Sequence, residues 1–307
     1  MAEIASQDSA PQDSGPDRLT LGAWVTAILL GGGNAVGVRF TVFELDPFWS
    51  ASLRFFAAGL IFVAFMVVLR KPLGSRASLI GATLYGIVGF GAQFAFLYYG
   101  LRETPAGTSQ VLIALVPLAT FGLAIVHGLE RFRWRGLAGA VLALVGVAVI
   151  FADQLSAQVS LVALLAIMAG ALCIAESGVI VKLTPGSSPV VTNAVGMLVG
   201  AVLLAVLSAA VGERWVLPRQ ADTWAAIAFL VLGGSVGVFS LWVFVLRRWT
   251  ASATSYGFLL LPLVTIVYGA ILLGESITPA FAVGGAIVVA GVWIGALASP
   301  PLVPPEP

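Results

Sequence analysis

By length the 307 residues would fill two soluble domains, but only 15 Lys or Arg and 14 Asp or Glu are present, 9% of the chain, and mean hydropathy is +1.05. So few charges cannot cover a soluble surface, since a soluble domain carries about 25%. A net charge of +1 gives no basic stripe for a nucleic acid, and with Cys173 the single cysteine neither an intramolecular disulfide nor a Cys-rich metal site can form. No metal or other cofactor is expected.

Residues 1–18 hold Glu3, Asp8, Asp13 and Asp17 without an apolar core, which is unlike a signal peptide and predicts a disordered tail. Ten apolar stretches follow, each long enough to cross a hydrocarbon core about 30 Å thick. They are Leu21–Val38, Phe48–Leu69, Leu79–Tyr99, Thr108–His127 and Trp134–Ala152, then Val159–Val181, Val190–Val211, Thr223–Leu246, Ala253–Gly274 and Pro279–Ala298. All are apolar on every face, which predicts helices and not the alternating strands of a barrel. Residues 299–307, with five prolines, read as a second tail. The predicted class is therefore all-α, a polytopic membrane protein.

Ten of the basic residues fall at one set of helix ends: Arg18, Arg70, Lys71, Arg76, Arg131, Arg133, Arg135, Lys182, Arg247 and Arg248. Only Arg39, Arg102, Arg214 and Arg219 fall at the other, and Arg54 lies within a span. Short loops rich in Lys and Arg stay cytoplasmic, so both termini are expected inside.

A shift of 145 residues superimposes the chain on itself. Arg102 meets Arg247, Pro117-Leu118 meets Pro262-Leu263, Thr120 meets Thr265, and Glu130 meets Glu275. Gly139 meets Gly284, and Gly146-Val147 meets Gly291-Val292. The unit holds five spans, so the second copy enters the membrane from the opposite side, as in many secondary transporters. The expected units are repeat 1 over 19–153 and an inverted repeat 2 over 158–298.

Several of these residues also carry a family likeness. Gly31-Gly32-Gly33-Asn34, running on to Arg39, is similar to the Trp-Gly-Ser-Asn motif of the drug/metabolite transporter superfamily, EamA type. Leu53-Arg54-Phe55 resembles the family's Arg-Phe. Pro117 with Glu130-Arg131, and Pro262 with Gly274-Glu275, resemble its mid-helix proline and helix-end glutamate. The resemblance covers about residues 20–298, with Gly31 standing where the family usually has Trp. It implies a carrier in a bacterial inner membrane, with an amino acid, above all an aromatic or hydrophobic one, as the substrate. The partners implied are that small molecule and the lipid bilayer, with no nucleic acid and no required oligomer. Export of drugs or other metabolites is the alternative. A channel would need a continuous polar ring along its pore, and an enzyme would need a nucleophile with its base.

Polar groups within spans are costly and mark candidate transport paths. Asn34 and Glu176 with Ser177 fall at mirrored depths, an amide and a carboxylate suited to the two charged groups of a zwitterion; alternatively Glu176 carries a proton, or is a helix-end carboxylate that pairs with Lys182. Gln93, Tyr98, Tyr99 and Gln110 gather in one half of the membrane, and Trp242, Ser255 and Tyr256 in the other. Pro117 and Pro262 each remove a helical hydrogen bond, which suggests hinges at equivalent places in the two halves. Arg54 is expected to snorkel to the outer surface, with an anion or a carboxylate held in the cavity as the alternative, and His127, the sole histidine, to be a solvated interfacial residue. Gly233-Gly234-Ser235-Val236-Gly237 fits a serine-hydrolase motif, but inside an apolar helix it lacks the required strand–turn–helix setting.

The topology is open to a direct check. In a Cys173→Ala background, cysteines at Ser75, Gly186 and Arg248 should be shielded from an impermeant thiol reagent in intact cells. Those at Asp46, Asp153 and Gln220 should react. Identical labelling of the two sets, or an exchange between them, would refute the assignment.

Overall fold

The computed structural model describes residues 17–104, 106–155, 160–184, 186, 188–274 and 276–298. The expected tails at 1–18 and 299–307 lie outside these residues except for Asp17 and Arg18, as does Glu275. Among the described residues nine helices are long and apolar enough to cross a membrane, and a tenth is apolar with 17 residues. In chain order they are α1 Arg18–Thr41, α2 Pro47–Val68, α3 Arg76–Leu101, α4 Thr108–Val126 and α5 Trp134–Ile150. They continue as α6 Leu161–Leu183, α7 Pro189–Ala210, α8 Ala221–Leu246, α9 Ala251–Leu272 and α10 Pro279–Leu297.

The sequence starts these helices with familiar chemistry. Pro47, Pro189 and Pro279 occupy first-turn positions, where a missing N–H leaves nothing unsatisfied. Asp17, Ser75 and Thr278 accept from the backbone N–H groups of Thr20, Ser78 and Phe281 at 2.8, 3.2 and 3.2 Å. Inside lipid every backbone group needs such a partner, so the helices run almost unbroken between caps.

The two halves interlock. α1 packs on α8 and α9, and its counterpart α6 packs on α3 and α4; α2 faces α7, and α5 faces α10. The α5–α10 seam is built on glycine. A Cβ added at Gly139 would lie 2.5 Å from the Gly295 Cα, and one at Gly146 would lie 2.7 Å from the Gly284 carbonyl oxygen. Gly139 and Gly146 correspond to Gly284 and Gly291 under the 145-residue shift. The contact is thus its own mirror image, with small residues letting antiparallel backbones touch.

Two wider turns obey the same shift. Ile87–Ala92 in α3 and Leu232–Gly237 in α8 are π-helical, each inserting one residue into the ladder. The hydrolase-like Gly233–Gly237 stretch is this π-helical turn. The prolines are less symmetric than expected. α4 breaks at Ala114–Leu115, so Pro117 starts a fresh helix, Val116–Val126. In α9 the break is at Tyr256, six residues before Pro262, which sits inside Gly257–Leu273.

Two substitutions test the seam. Gly146→Ala and Gly291→Ala each push a methyl into facing backbone and should destabilise the detergent-solubilised protein by roughly 1–3 kcal/mol. Gly122→Ala, with nothing within 4 Å of the added atom, should be neutral or stabilising by about 0.5–1 kcal/mol. Thermal melting of the three variants decides the matter.

Candidate functional site

The polar centre is built around Arg54. It lies seven residues into α2, roughly 10 Å below that helix end at 1.5 Å per residue, and is only 7% exposed. Snorkelling was the expectation; instead the side chain turns into the bundle. Nε donates to Ser235 Oγ at 2.7 Å, and Nη2 donates to the Gly234 carbonyl at 2.8 Å and to Asn34 Oδ1 at 3.4 Å. Asn34 Nδ2 donates to the same Gly234 carbonyl at 3.3 Å. Both Gly234 and Ser235 lie in the π turn of α8, and the Gly234 carbonyl accepts from two other helices. Gly234 also has to lack a side chain, since a Cβ there would sit 1.8 Å from Asn34 Oδ1.

No carboxylate pairs with Arg54 among the described residues. Its surroundings are aromatic. The guanidinium carbon is 5.1 Å from the Phe55 ring centroid, and Phe55 meets Phe90 and Phe94 edge-on at 4.8 and 4.9 Å. Tyr98, an electrostatic neighbour of Arg54, packs on Phe94 and Phe48. The inverted counterpart of Arg54 is Val199, so only one of the two mirrored positions carries charge.

The remaining candidates divide. Gln93 and Gln110 are half-buried, while Tyr99 faces outward at 48% exposure. Ser177 and Ser255 are buried, with their hydroxyls donated to carbonyls of their own helices, Ile174 and Ser252, at 2.8 and 2.6 Å. Tyr256 donates to the Gly136 carbonyl and fastens α9 to α5. Trp242 packs edge-on against Phe258 at 4.9 Å. Asn34 bonds Arg54 and the Gly234 carbonyl, and none of these hydrogen bonds involves Glu176. Glu176 instead faces His127, with Nε2 and Oε1 3.6 Å apart. His127 is thus a partner of Glu176, and Lys182 is not.

Both helix ends are clasped. At the end away from the basic loops, Glu213 accepts from the Phe48 and Trp49 amides at 3.0 and 2.8 Å, which satisfies the start of α2 with an anion. Trp49 stacks on Trp215 at 4.8 Å. Glu44 in the same clasp is held below its usual range: burial alone would raise it, but bonds from Thr223 and the Gln220 and Arg219 amides outweigh that. At the basic end Glu130 accepts from the Ser252 amide at 2.9 Å and from its hydroxyl, and Arg133 lies 3.5 Å away. Two apolar grooves lie outside the Arg54 centre, one along α9–α10 and one of about 440 Å³ between α1, α8 and α9 that includes Asp222 and Tyr268. Among the described residues no three His, Cys, Asp or Glu side chains form a metal-binding group.

The family model described as the EamA-like transporter family matches residues 19–152 and again 161–296. The chain belongs to the EamA-like transporter family. It is a multi-pass membrane protein built as two inverted five-helix repeats. It is similar to a protein of Streptantibioticus cattleyicolor named "Probable terminal-alkyne amino-acid exporter", 29% identical over 75% of this chain and 78% of the relative. A Salmonella typhimurium protein named "Probable amino-acid metabolite efflux pump" is 25% identical over 87% and 91%. The Escherichia coli inner membrane transporter YedA is 24% identical over 84% of each chain. A solved crystal structure superposes with a TM-score of 0.80 over 92% of this chain and 98% of the other, at 21% identity, and so shares the EamA-like fold.

The proline asymmetry gives a prediction for transport. Pro262 interrupts a continuous helix, so Pro262→Ala should restore a backbone bond to Phe258, stiffen α9 and slow transport several-fold. Pro117 stands where α4 is already broken and should tolerate Ala with at most a small loss. Equal effects in a transport assay would contradict this difference between the halves.

Proposed function

We propose that this EamA-like transporter exports hydrophobic, above all aromatic, amino acids across the bacterial inner membrane by alternating access. The observation that carries the reading is Arg54, a buried guanidinium without a carboxylate partner among the described residues, which joins α2 to the other half through α8. A charge held in hydrocarbon is expensive, by about 2.5–3.5 kcal/mol at a helix centre, and such residues mark substrate paths. A substrate carboxylate is the ligand that a guanidinium fork and the neighbouring Asn34 amide recognise best. The Phe55, Phe90, Phe94 and Tyr98 rings beside it suit an apolar or aromatic side chain. The names of two relatives as amino-acid exporters or efflux pumps agree with this class. Taking the basic loops as cytoplasmic, the Arg54 site lies toward the outer half.

Because Arg54 bonds Gly234 and Ser235 on the opposing half, a carboxylate that draws the guanidinium away loosens the α2–α8 contact. Substrate binding and separation of the halves are then coupled through one side chain, which is what a ligand needs in order to shift a conformational equilibrium.

Counterflow of radiolabelled phenylalanine in proteoliposomes tests the assignment. Arg54→Gln should cut it by about tenfold or more, equivalent to ~1.4 kcal/mol, whereas Ser235→Ala, which keeps the guanidinium, should retain most of it. Gel filtration of each variant controls for folding. Undiminished counterflow in Arg54→Gln would remove Arg54 from the substrate path.

A further inference from the structure

The contact between His127 and Glu176 is separate from the Arg54 centre and has its own chemistry. His127 closes α4 in the first half and Glu176 belongs to α6 in the second, so the contact spans the interface that must change during transport. His127 Nδ1 lies 2.9 Å from the Leu123 carbonyl oxygen, which only accepts, and this makes Nδ1 the donor. A neutral ring with that proton on Nδ1 turns a lone pair on Nε2 toward the Glu176 carboxylate 3.6 Å away. Two acceptors then face each other. One additional proton, on Nε2 or on the carboxyl group, turns this arrangement into a hydrogen-bonded pair. Glu176 Oε2 is buried without a hydrogen-bond partner, so no donor there holds the carboxylate charge. The sequence alone shows no second titratable group at this depth; the fold supplies one from another helix.

The other charged groups around the pair are engaged elsewhere or lie nearer the surface. Lys182, further along α6, interacts with Glu130 and Arg247, and Glu130 is held by Ser252 and Arg133. Arg131 and Arg135 flank the α4–α5 turn, and Arg248 ends the α8 side over the Phe244 ring. The nearest titratable group along α6 itself is Cys173, one turn before Glu176, and the titratable group of α3 in this half of the bundle is Tyr85, which packs on Phe90; the start of α9, Ala251–Ser255, carries only hydroxyls. The 145-residue shift maps His127 to Leu272 and Glu176 to Gly31. The mirrored contact at the opposite end therefore holds no proton.

We infer that His127 and Glu176 form a proton-binding site that couples the transport cycle to proton movement. One proton is shared between Nε2 and the carboxylate while the basic ends of α4 and α6 are together. It passes to water on that side as the halves separate, leaving a neutral ring and an ionised carboxylate. Only one end of the carrier carries this chemistry, so the cycle gains a direction with respect to protons. The inference rests on transport by the two halves and not on the identity of the substrate.

Two measurements on the full-length chain test it. His127 is the only histidine, so ¹⁵N-histidine labelling yields one imidazole spectrum. The Nε2 resonance should be that of a nitrogen hydrogen-bonded to a carboxyl group in wild type, should become that of an unbonded nitrogen in Glu176→Gln, and should stay unchanged in Glu44→Gln. In proteoliposomes with a trapped pH dye, inward and outward phenylalanine gradients should drive proton movement in wild type. His127→Gln and Glu176→Gln should abolish that movement while keeping at least half of the counterflow. An Nε2 signal indifferent to Glu176→Gln, or full proton movement in either variant, would overturn the site. If phenylalanine is not carried at all, the amino-acid reading fails, and the imidazole spectrum alone decides on the proton site.

Discussion

A single buried guanidinium sets the terms for much of this bundle. Hydrocarbon tolerates Arg54 only because three groups from other helices converge on it, and all three meet at one turn of α8. The π turn in α8 presents Gly234 C=O and Ser235 Oγ, and the absence of a side chain at Gly234 lets Asn34 approach. Removing any of these leaves a charge short of partners in low dielectric, where the penalty is greatest. α1, α2 and α8 are thus tied at one depth, across the line between the two repeats.

Around that knot the architecture is symmetric and the chemistry is not. Glycine seams, the π turns of α3 and α8, and helix pairings repeat at 145 residues, as expected where backbone packing is the main force between helices in lipid. The polar residues break the repeat: Arg54 mirrors Val199, and the His127–Glu176 contact mirrors Leu272 and Gly31. A symmetric scaffold gives two access states of similar construction. Asymmetric side chains decide what is bound in each and which end senses protons.

The fold was largely legible in the sequence because lipid demands long apolar helices and because Pro, Thr, Glu and Gly recur at one offset. The start of α3 at Arg76 instead of Leu79 reflects an N-cap by Ser75, a signal that hydropathy overlooks. The site was less legible. Asn34 was visible as an isolated amide, but its partner Arg54 read as a snorkelling cation, since side-chain direction depends on which helix lies alongside. The π turns, one of which carries the acceptors of Arg54, have no sharp signature beyond Gly89 and Gly234 at the repeat offset. Ser177, Ser255 and Tyr256 donate their hydroxyls to backbone carbonyls, and sequence does not reveal where a hydroxyl finds its acceptor. His127 and Glu176 are 49 residues apart in sequence, and only the packing of α4 on α6 joins them.

The central claim is that the Arg54 centre recognises a substrate carboxylate. Competition against labelled phenylalanine counterflow, with unlabelled phenylalanine and its uncharged carboxamide as competitors, tests this most directly, because the two differ only at the group in question. The account predicts that phenylalanine competes at least about tenfold more effectively than the carboxamide in the wild-type chain. It also predicts that this preference collapses when Arg54 is replaced by Met. Equal competition by the two compounds in wild type would contradict it.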